Sequence, residues 1–86
     1  MRQSLPRVPK DRIAVIIGAK GATSKAIREA AGCLKFIIDS DSGDVEVEWG
    51  EPGTYDPVRA MKLPDVVKAI GRGMAPDAAV RLLEDN

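Results

Sequence analysis

The sequence predicts an α+β fold in which a three-stranded antiparallel sheet carries helices packed on one face, with a short helix at the C-terminal end. The 86 residues are 44% hydrophobic and 30% charged, a composition typical of a globular domain with one modest core. Residues 45–49 alternate apolar and acidic side chains, the pattern of a half-buried strand. Apolar residues elsewhere recur at spacings of three and four, which indicates helices. The order of these segments predicts two layers, β-α-α-β-β-α followed by a helix.

The first part of the chain predicts one strand and two helices. Residues 3–8 are predicted to form a short strand. Pro6 restricts this strand to an edge of the sheet, because proline cannot donate a ladder hydrogen bond. Residues 10–17 are predicted to form a short helix after Pro9, and residues 22–31 a second helix that ends at Gly32.

A β-hairpin is predicted over residues 34–49. The segment 34–39 is rich in strand-forming residues, and 40–44 has the composition of a turn. The alternation in 45–49 directs the two glutamates to water and three side chains to the core, namely Val45, Val47 and Trp49.

A longer helix is predicted to begin after the N-cap Asp56 and to run to about residue 70. Pro64 lies inside this stretch and is expected to kink or restart the helix, with Leu63 disfavoured as helical. The expected apolar stripe consists of Val58, Met61, Val66, Val67 and Ile70.

Gly71 and Gly73 are expected to end that helix, and a last helix is predicted over 78–84 with three apolar residues, Val80, Leu82 and Leu83. We therefore divide the chain into residues 1–73 and a helical extension, residues 74–86.

The cysteine and histidine counts exclude several classes of site. With Cys33 alone and no histidine, the sequence excludes an internal disulfide, a Cys/His metal site and a histidine-activated nucleophile. We expect no enzymatic activity, cofactor or metal. The three aromatic residues are too few for a base-stacking platform. Apolar runs are too short to span a membrane and no signal peptide is recognisable, so we expect a cytoplasmic protein without membrane contact.

The formal net charge of 0 conceals an uneven distribution along the chain. Residues 1–35 carry eight basic and two acidic residues, a net charge of +6, whereas residues 36–86 carry five and eleven, a net charge of −6. A basic first half indicates contact with a polyanion, although a chance partition of solvated charges explains the same counts.

The glycine spacing at residues 18–21 favours one kind of phosphate-binding loop. The spacing fits neither a P-loop nor a dinucleotide-binding fingerprint, and it leaves a Gly-x-x-Gly turn between two helices. Glycines at 18 and 21 permit close approach of a phosphodiester backbone, and the helix beginning near Ala22 offers N–H groups to anionic oxygens. Lys20 adds a positive charge.

Taken together, these segments resemble a type I KH domain, over roughly residues 3–71. The residues that carry the resemblance are Val8-Pro9, Ile13 to Gly21, Ile27, Gly32 and Phe36 to Asp39. The resemblance implies binding of single-stranded RNA or DNA, with the Gly-x-x-Gly loop clamping about four backbone nucleotides.

The resemblance also implies roles for individual residues. The clamp would be Gly18, Ala19, Lys20 and Gly21. The floor of an aliphatic groove would be Ala14 and Ile17, its polar edge Ser24, and its opposite wall Lys35 with Phe36, Ile37 and Ile38. Lys25 and Arg28 are equally consistent with phosphate contacts and with a solvated helix surface. The acidic segment 40–48 would repel phosphate on its side of the groove.

Residues 65–83 resemble more narrowly the segment after the first KH domain of archaeal ribosome-assembly KH proteins. These are relatives of the eukaryotic pre-rRNA processing factor that partners the Nob endonuclease. The resemblance implies binding near the 3′ end of small-subunit rRNA, with a second KH domain or ribosome-assembly proteins as partners. Such proteins usually carry two KH domains, so this chain is interpreted as an N-terminal half or as a shortened relative.

The leading hypothesis is a non-enzymatic module that binds single-stranded RNA during ribosome assembly. The alternative is a protein-interaction or scaffold module with little RNA affinity, in which the acidic hairpin and the helix at 76–84 contact a partner.

Overall fold

The structure is a computed structural model that describes residues 1–83. Its elements, in chain order, are β1 (Arg2–Leu5), α1 (Lys10–Ile17), α2 (Ala22–Ala31), β2 (Lys35–Ile38), β3 (Val45–Glu48), α3 (Pro57–Gly71) and α4 (Pro76–Val80), with short 3₁₀ turns at Ala19–Gly21 and Arg81–Leu83. The α+β architecture and the type I order of elements are confirmed.

The sheet is antiparallel, with strand order β1-β3-β2, so β1 and β2 are its edges. The predicted edge position of the first strand is confirmed. This strand ends at Leu5 rather than at residue 8, because Val8 leaves the ladder and donates its N–H to the carbonyl of Gly43 at 2.9 Å. In the register, Val47 lies between Gln3 and Phe36, and Val45 between Leu5 and Ile38.

The core lies between the helices and one face of the sheet. Val45, Val47 and Trp49 are buried as predicted. The indole Nε1 of Trp49 donates to Oε1 of Gln3 at 3.0 Å, and its ring lies 4.8 Å from that of Tyr55, so Trp49 is a packing residue. Cys33 is also buried, and this burial raises the pKa of its thiol.

The predicted stripe of α3 is partly wrong. The helix continues through Pro64 without a break, and its buried residues are Leu63, Val66, Val67 and Ile70. Val58 and Met61, expected in the core, are 51% and 80% exposed. Because the helix is unbroken, the 3.6-residue periodicity of its buried face continues from the second half into the first half. This periodicity places positions 58 and 61 on the opposite face, toward water. Among residues 1–83, no helix is both long and apolar enough to cross a membrane.

The C-terminal end of α3 is capped by its own backbone and by α1. Gly73 has a φ of +113° and donates to the carbonyl of Ile70 at 3.1 Å, while Met74 donates to Ala69 at 3.0 Å. These two bonds form a Schellman motif. The guanidinium of Arg12 adds bonds to the carbonyls of Ile70 at 2.9 Å and Met74 at 3.2 Å. The last turn of α3 is therefore tied to α1.

Helix α4 begins at Pro76, two residues earlier than predicted, and a 3₁₀ turn follows it to Leu83. The predicted end at Glu84 lies outside the described residues. Ala79 and Leu83 are buried in the same core as the sheet. Val80 and Leu82 are partly buried against it.

Candidate nucleic-acid interface

The Gly-x-x-Gly loop reverses the chain within four residues. Gly18 closes α1 by donating to the carbonyl of Ala14 at 2.9 Å, and Gly21 donates to Gly18 at 3.2 Å. Gly18, Lys20 and Gly21 all have positive φ, at +77°, +56° and +76°. This conformation costs a non-glycine residue roughly 1–2 kcal/mol, and such strain is concentrated at functional loops. The exposed Lys20 therefore occupies the loop at a conformational cost.

Gly18 lies directly against the first turn of α2. A Cβ at this position would be 2.3 Å from Oγ1 of Thr23 and 2.7 Å from its backbone nitrogen. Only glycine fits this approach. The reasoning from sequence missed Thr23, because its contact with Gly18 depends on the turn between the helices and leaves no spacing signal.

Gly21 is the N-cap of α2, and the hydroxyl of Ser24 donates to its carbonyl at 3.0 Å. The first N–H groups of a helix have no intrahelical partner and favour an anion at that end. Ser24 thus joins the loop to the helix whose N-terminal N–H groups lie next to the clamp.

A depression of about 320 Å³ lies between α2 and β2. It is lined by Ser24, Lys25, Arg28, Lys35, Phe36 and Ile37. All of these residues except Phe36 were predicted from the sequence as RNA-binding residues. Phe36, which is buried, was predicted as part of the opposite wall. The structure places three cationic side chains around one concave surface.

The other predicted site residues lie outside the lining of this depression. Gly18 to Gly21 lie at the N-terminal end of α2. Ala14 is exposed on α1, and Ile17 is half-buried against the core. The site is therefore an extended surface, with the clamp at one end and the basic depression along the next turns of α2.

The surface around Ile37 is basic on one side and acidic on the other. Ile37 is 51% exposed and also borders a second depression of about 240 Å³, which it shares with Asp39, Asp44 and Glu46. The Asp44 carboxylate accepts hydrogen bonds from Nε of Arg7, at 2.9 Å, and from the Ser42 hydroxyl. These hydrogen bonds lower the pKa of the Asp44 carboxyl. This side therefore repels phosphate at neutral pH. On the basic side, Nζ of Lys35 lies 4.0 Å from a Glu48 carboxylate oxygen.

The open edge of β2 is a further part of this surface. Within residues 1–83, β2 pairs with β3 on one side only. An edge strand presents backbone N–H and C=O groups to a ligand. Residues 35–38 were expected to form the opposite wall of the groove. That their strand is an edge follows from the strand order, which the sequence does not give.

Comparison with known proteins identifies the family. A model of the KH domain matches residues 3–61. The chain belongs to the KH-domain family. KH domains are RNA-recognition modules, so the KH chain is an RNA-binding domain.

Several relatives resemble the KH chain over most of its length. A KH domain-containing protein of Methanocaldococcus jannaschii is 42% identical over 79 residues, which is 92% of this chain and 34% of the relative. The crystal structure of Dim2p from Pyrococcus horikoshii has 43% identity and a TM-score of 0.82, with 96% of this chain and 48% of that chain covered.

Two further solved structures are similar. A chain in the a/eIF2alpha–aDim2p–rRNA complex of Pyrococcus horikoshii has 44% identity and a TM-score of 0.82, with 96% of the KH chain and 46% of that chain covered. A protein of unknown function from Aeropyrum pernix has 34% identity and a TM-score of 0.84, with 99% and 43% covered. The KH chain thus spans a third to a half of the length of these relatives.

Proposed function

We propose that the KH chain binds single-stranded RNA without catalysing a reaction, by clamping the phosphate backbone at Gly18 to Gly21. The bases would then cross Ala14 and Ile17 toward the open edge of β2. The observation that carries the proposal is the basic depression between α2 and β2, which continues from the clamp along one helix. Lys25, Arg28 and Lys35 supply donors for phosphate or base oxygens, and the acidic border on the far side of Ile37 limits the strand to this path.

The proposed RNA is small-subunit rRNA near its 3′ end, bound during ribosome assembly. This choice is supported by the similarity to Dim2p and to a chain of a complex that contains rRNA. It is also supported by the resemblance of residues 65–83 to ribosome-assembly KH proteins. The relatives are longer, so a second KH domain or assembly proteins are the partners we propose.

The alternative function, a protein-interaction module, depended partly on exposed apolar residues in the helix at 76–84. Leu83 is buried in the core, and Val80 and Leu82 are partly buried against it, so this surface offers less apolar area than expected.

We expect micromolar or weaker affinity for an unstructured oligonucleotide, because the net charge is 0 and few phosphates are neutralised. The double variant Ala19→Asp/Lys20→Asp tests the clamp. Both side chains are exposed, and aspartate tolerates the positive φ of position 20 better than most residues. The variant should remain folded and lose binding at low salt, as measured by fluorescence anisotropy.

The matched control is Lys68→Asp/Ala78→Asp, which introduces the same change in net charge at exposed positions of α3 and α4. It should bind RNA within about threefold of the wild type, because both positions lie outside the clamp and outside the lining of the basic depression. Equal affinity of the clamp variant and the wild type would show that the loop does not bind RNA.

A further inference from the structure

A second groove lies on the opposite face of α2 from the basic depression. It has a volume of about 460 Å³ and separates α2 from α4. From α2 it is lined by Ala22, Thr23 and Ala26. On the other side it is lined by Pro76, Asp77 and Val80 of α4 and by Arg81 of the 3₁₀ turn that follows. Residues at spacing i, i+4 share one helix face, so Ala22 and Ala26 point away from the face that carries Ser24, Lys25 and Arg28.

The small side chains of α2 explain why the groove is open. Ala22 and Ala26 have no atoms beyond Cβ to fill the space toward α4, and both are exposed. The lining is mostly apolar, with Arg81 as its cation and Asp77 as its carboxylate. A flat, uncharged surface such as a nucleobase can lie against alanine and valine, while a guanidinium can pair with the adjoining phosphate.

The groove is continuous with the clamp. Gly21, the last clamp residue, is the N-cap of α2, and Ala22 and Thr23 follow it directly. Thr23 also lies directly against Gly18, so it borders both the clamp and this groove. A strand that leaves the clamp on this side of α2 enters the groove without crossing the acidic border at Asp39, Asp44 and Glu46. Helix α4, which forms the other wall, lies beyond the matched residues 3–61.

We propose that the groove between α2 and α4 holds a nucleotide that flanks the clamped stretch, with its base against Ala22, Ala26 and Val80 and its phosphate near Arg81. The inference rests on the proposed RNA function. It extends the footprint beyond the about four nucleotides that a KH loop clamps, and it assigns α4 a role in binding RNA.

The test compares a tetranucleotide RNA with longer RNAs extended by two nucleotides at the 5′ or at the 3′ end, using the full chain at low salt. One of the two extensions should increase the affinity of the wild type about fivefold, the gain expected from burying on the order of 40 Å² of apolar surface. Ala26→Phe fills the groove and should abolish this gain while leaving the affinity for the tetranucleotide unchanged. Arg81→Glu should also abolish the gain.

The control is Ala78→Phe, the same substitution at an exposed position of α4 outside the groove, which should retain the gain. If neither extension improves wild-type binding, or if the gain survives Ala26→Phe and Arg81→Glu, the groove does not bind RNA. Failure of the proposed function has a different signature, because the tetranucleotide would then bind the Ala19→Asp/Lys20→Asp variant as tightly as the wild type.

Discussion

Gly18 and Gly32 both have a positive φ but differ in ψ, which is 171° at Gly18 and 22° at Gly32. Their φ angles are +77° and +78°. An added Cβ at Gly18 would meet Thr23 at 2.3 Å, whereas at Gly32 it would meet nothing within 4 Å. Gly32 is therefore left-handed without crowding, whereas Gly18 has a φ and ψ that are almost confined to glycine and is also crowded by Thr23.

We expect Gly32→Ala to lower the free energy of unfolding by about 1–2 kcal/mol, the cost of the left-handed conformation alone. Gly18→Ala should lower it by roughly a further 1–3 kcal/mol, because overpacking against Thr23 and the less favourable backbone region of Gly18 both add to the cost. Urea denaturation measures both losses. Only Gly18→Ala should also weaken RNA binding, since it displaces the clamp from α2. Equal losses of stability at the two positions would contradict both the close contact with Thr23 and the greater backbone strain at Gly18.

The sequence allowed the clamp to be predicted because glycine spacing is a local signal. The left-handed Lys20 could not be predicted, since this conformation is imposed by the turn on either side of it. Similarly, Ser24, Lys25 and Arg28 were recognisable as candidates, but their position around one depression with β2 depends on how α2 packs on the sheet. A basic helix surface that only faces solvent and one that binds RNA have the same amino-acid composition, so the sequence does not distinguish them.

At the scale of elements, the bounds of α1 and α2 were predicted to the residue, because proline and glycine mark their ends. Helix α3 was harder to predict. The predicted stripe joined Val58 and Met61 to Val66, Val67 and Ile70, although the five-residue spacing from Met61 to Val66 does not keep these residues on one face of a helix. The continuous helix has one phase, which buries Leu63 and half-buries Arg59 and Ala60 in the first half.

Pro64 lies at the middle of α3, where it cannot donate an N–H to the preceding turn. Pro64→Ala restores this donor, and we expect the free energy of unfolding to rise by about 1–3 kcal/mol, reduced from the full cost of an interior proline because the unfolded chain gains freedom. The midpoint of urea denaturation and the helical circular dichroism signal measure the change.

The control for this prediction is Asp65→Ala, at the next and exposed position of the same helix. It should add about 0.5 kcal/mol or less, the difference in helix propensity. A gain for Pro64→Ala no larger than this would show that α3 loses no hydrogen bond at Pro64.

At the scale of the whole molecule, the net charge of 0 is the sum of a basic and an acidic part of the chain. In the fold, charges from these two parts lie on either side of Ile37. Lys25, Arg28 and Lys35 surround the depression beside α2, while Asp39, Asp44 and Glu46 surround the depression beyond Ile37. Counting charges along the chain predicted the basic first half, but only the fold brings Lys35 to the side of α2. We therefore expect RNA binding to depend on local rather than total charge.

The most direct test of this account is a titration of the ¹⁵N-labelled chain with an unstructured tetranucleotide RNA, followed by amide chemical shifts. We expect the largest shifts in Gly18 to Gly21, in the α2 turns that contain Lys25 and Arg28, and in 35–37 of β2. The amides of β1 and of α3 should change little. Shifts concentrated at Asp44 and Glu46 or on α3, with residues 18–21 unchanged, would contradict the account.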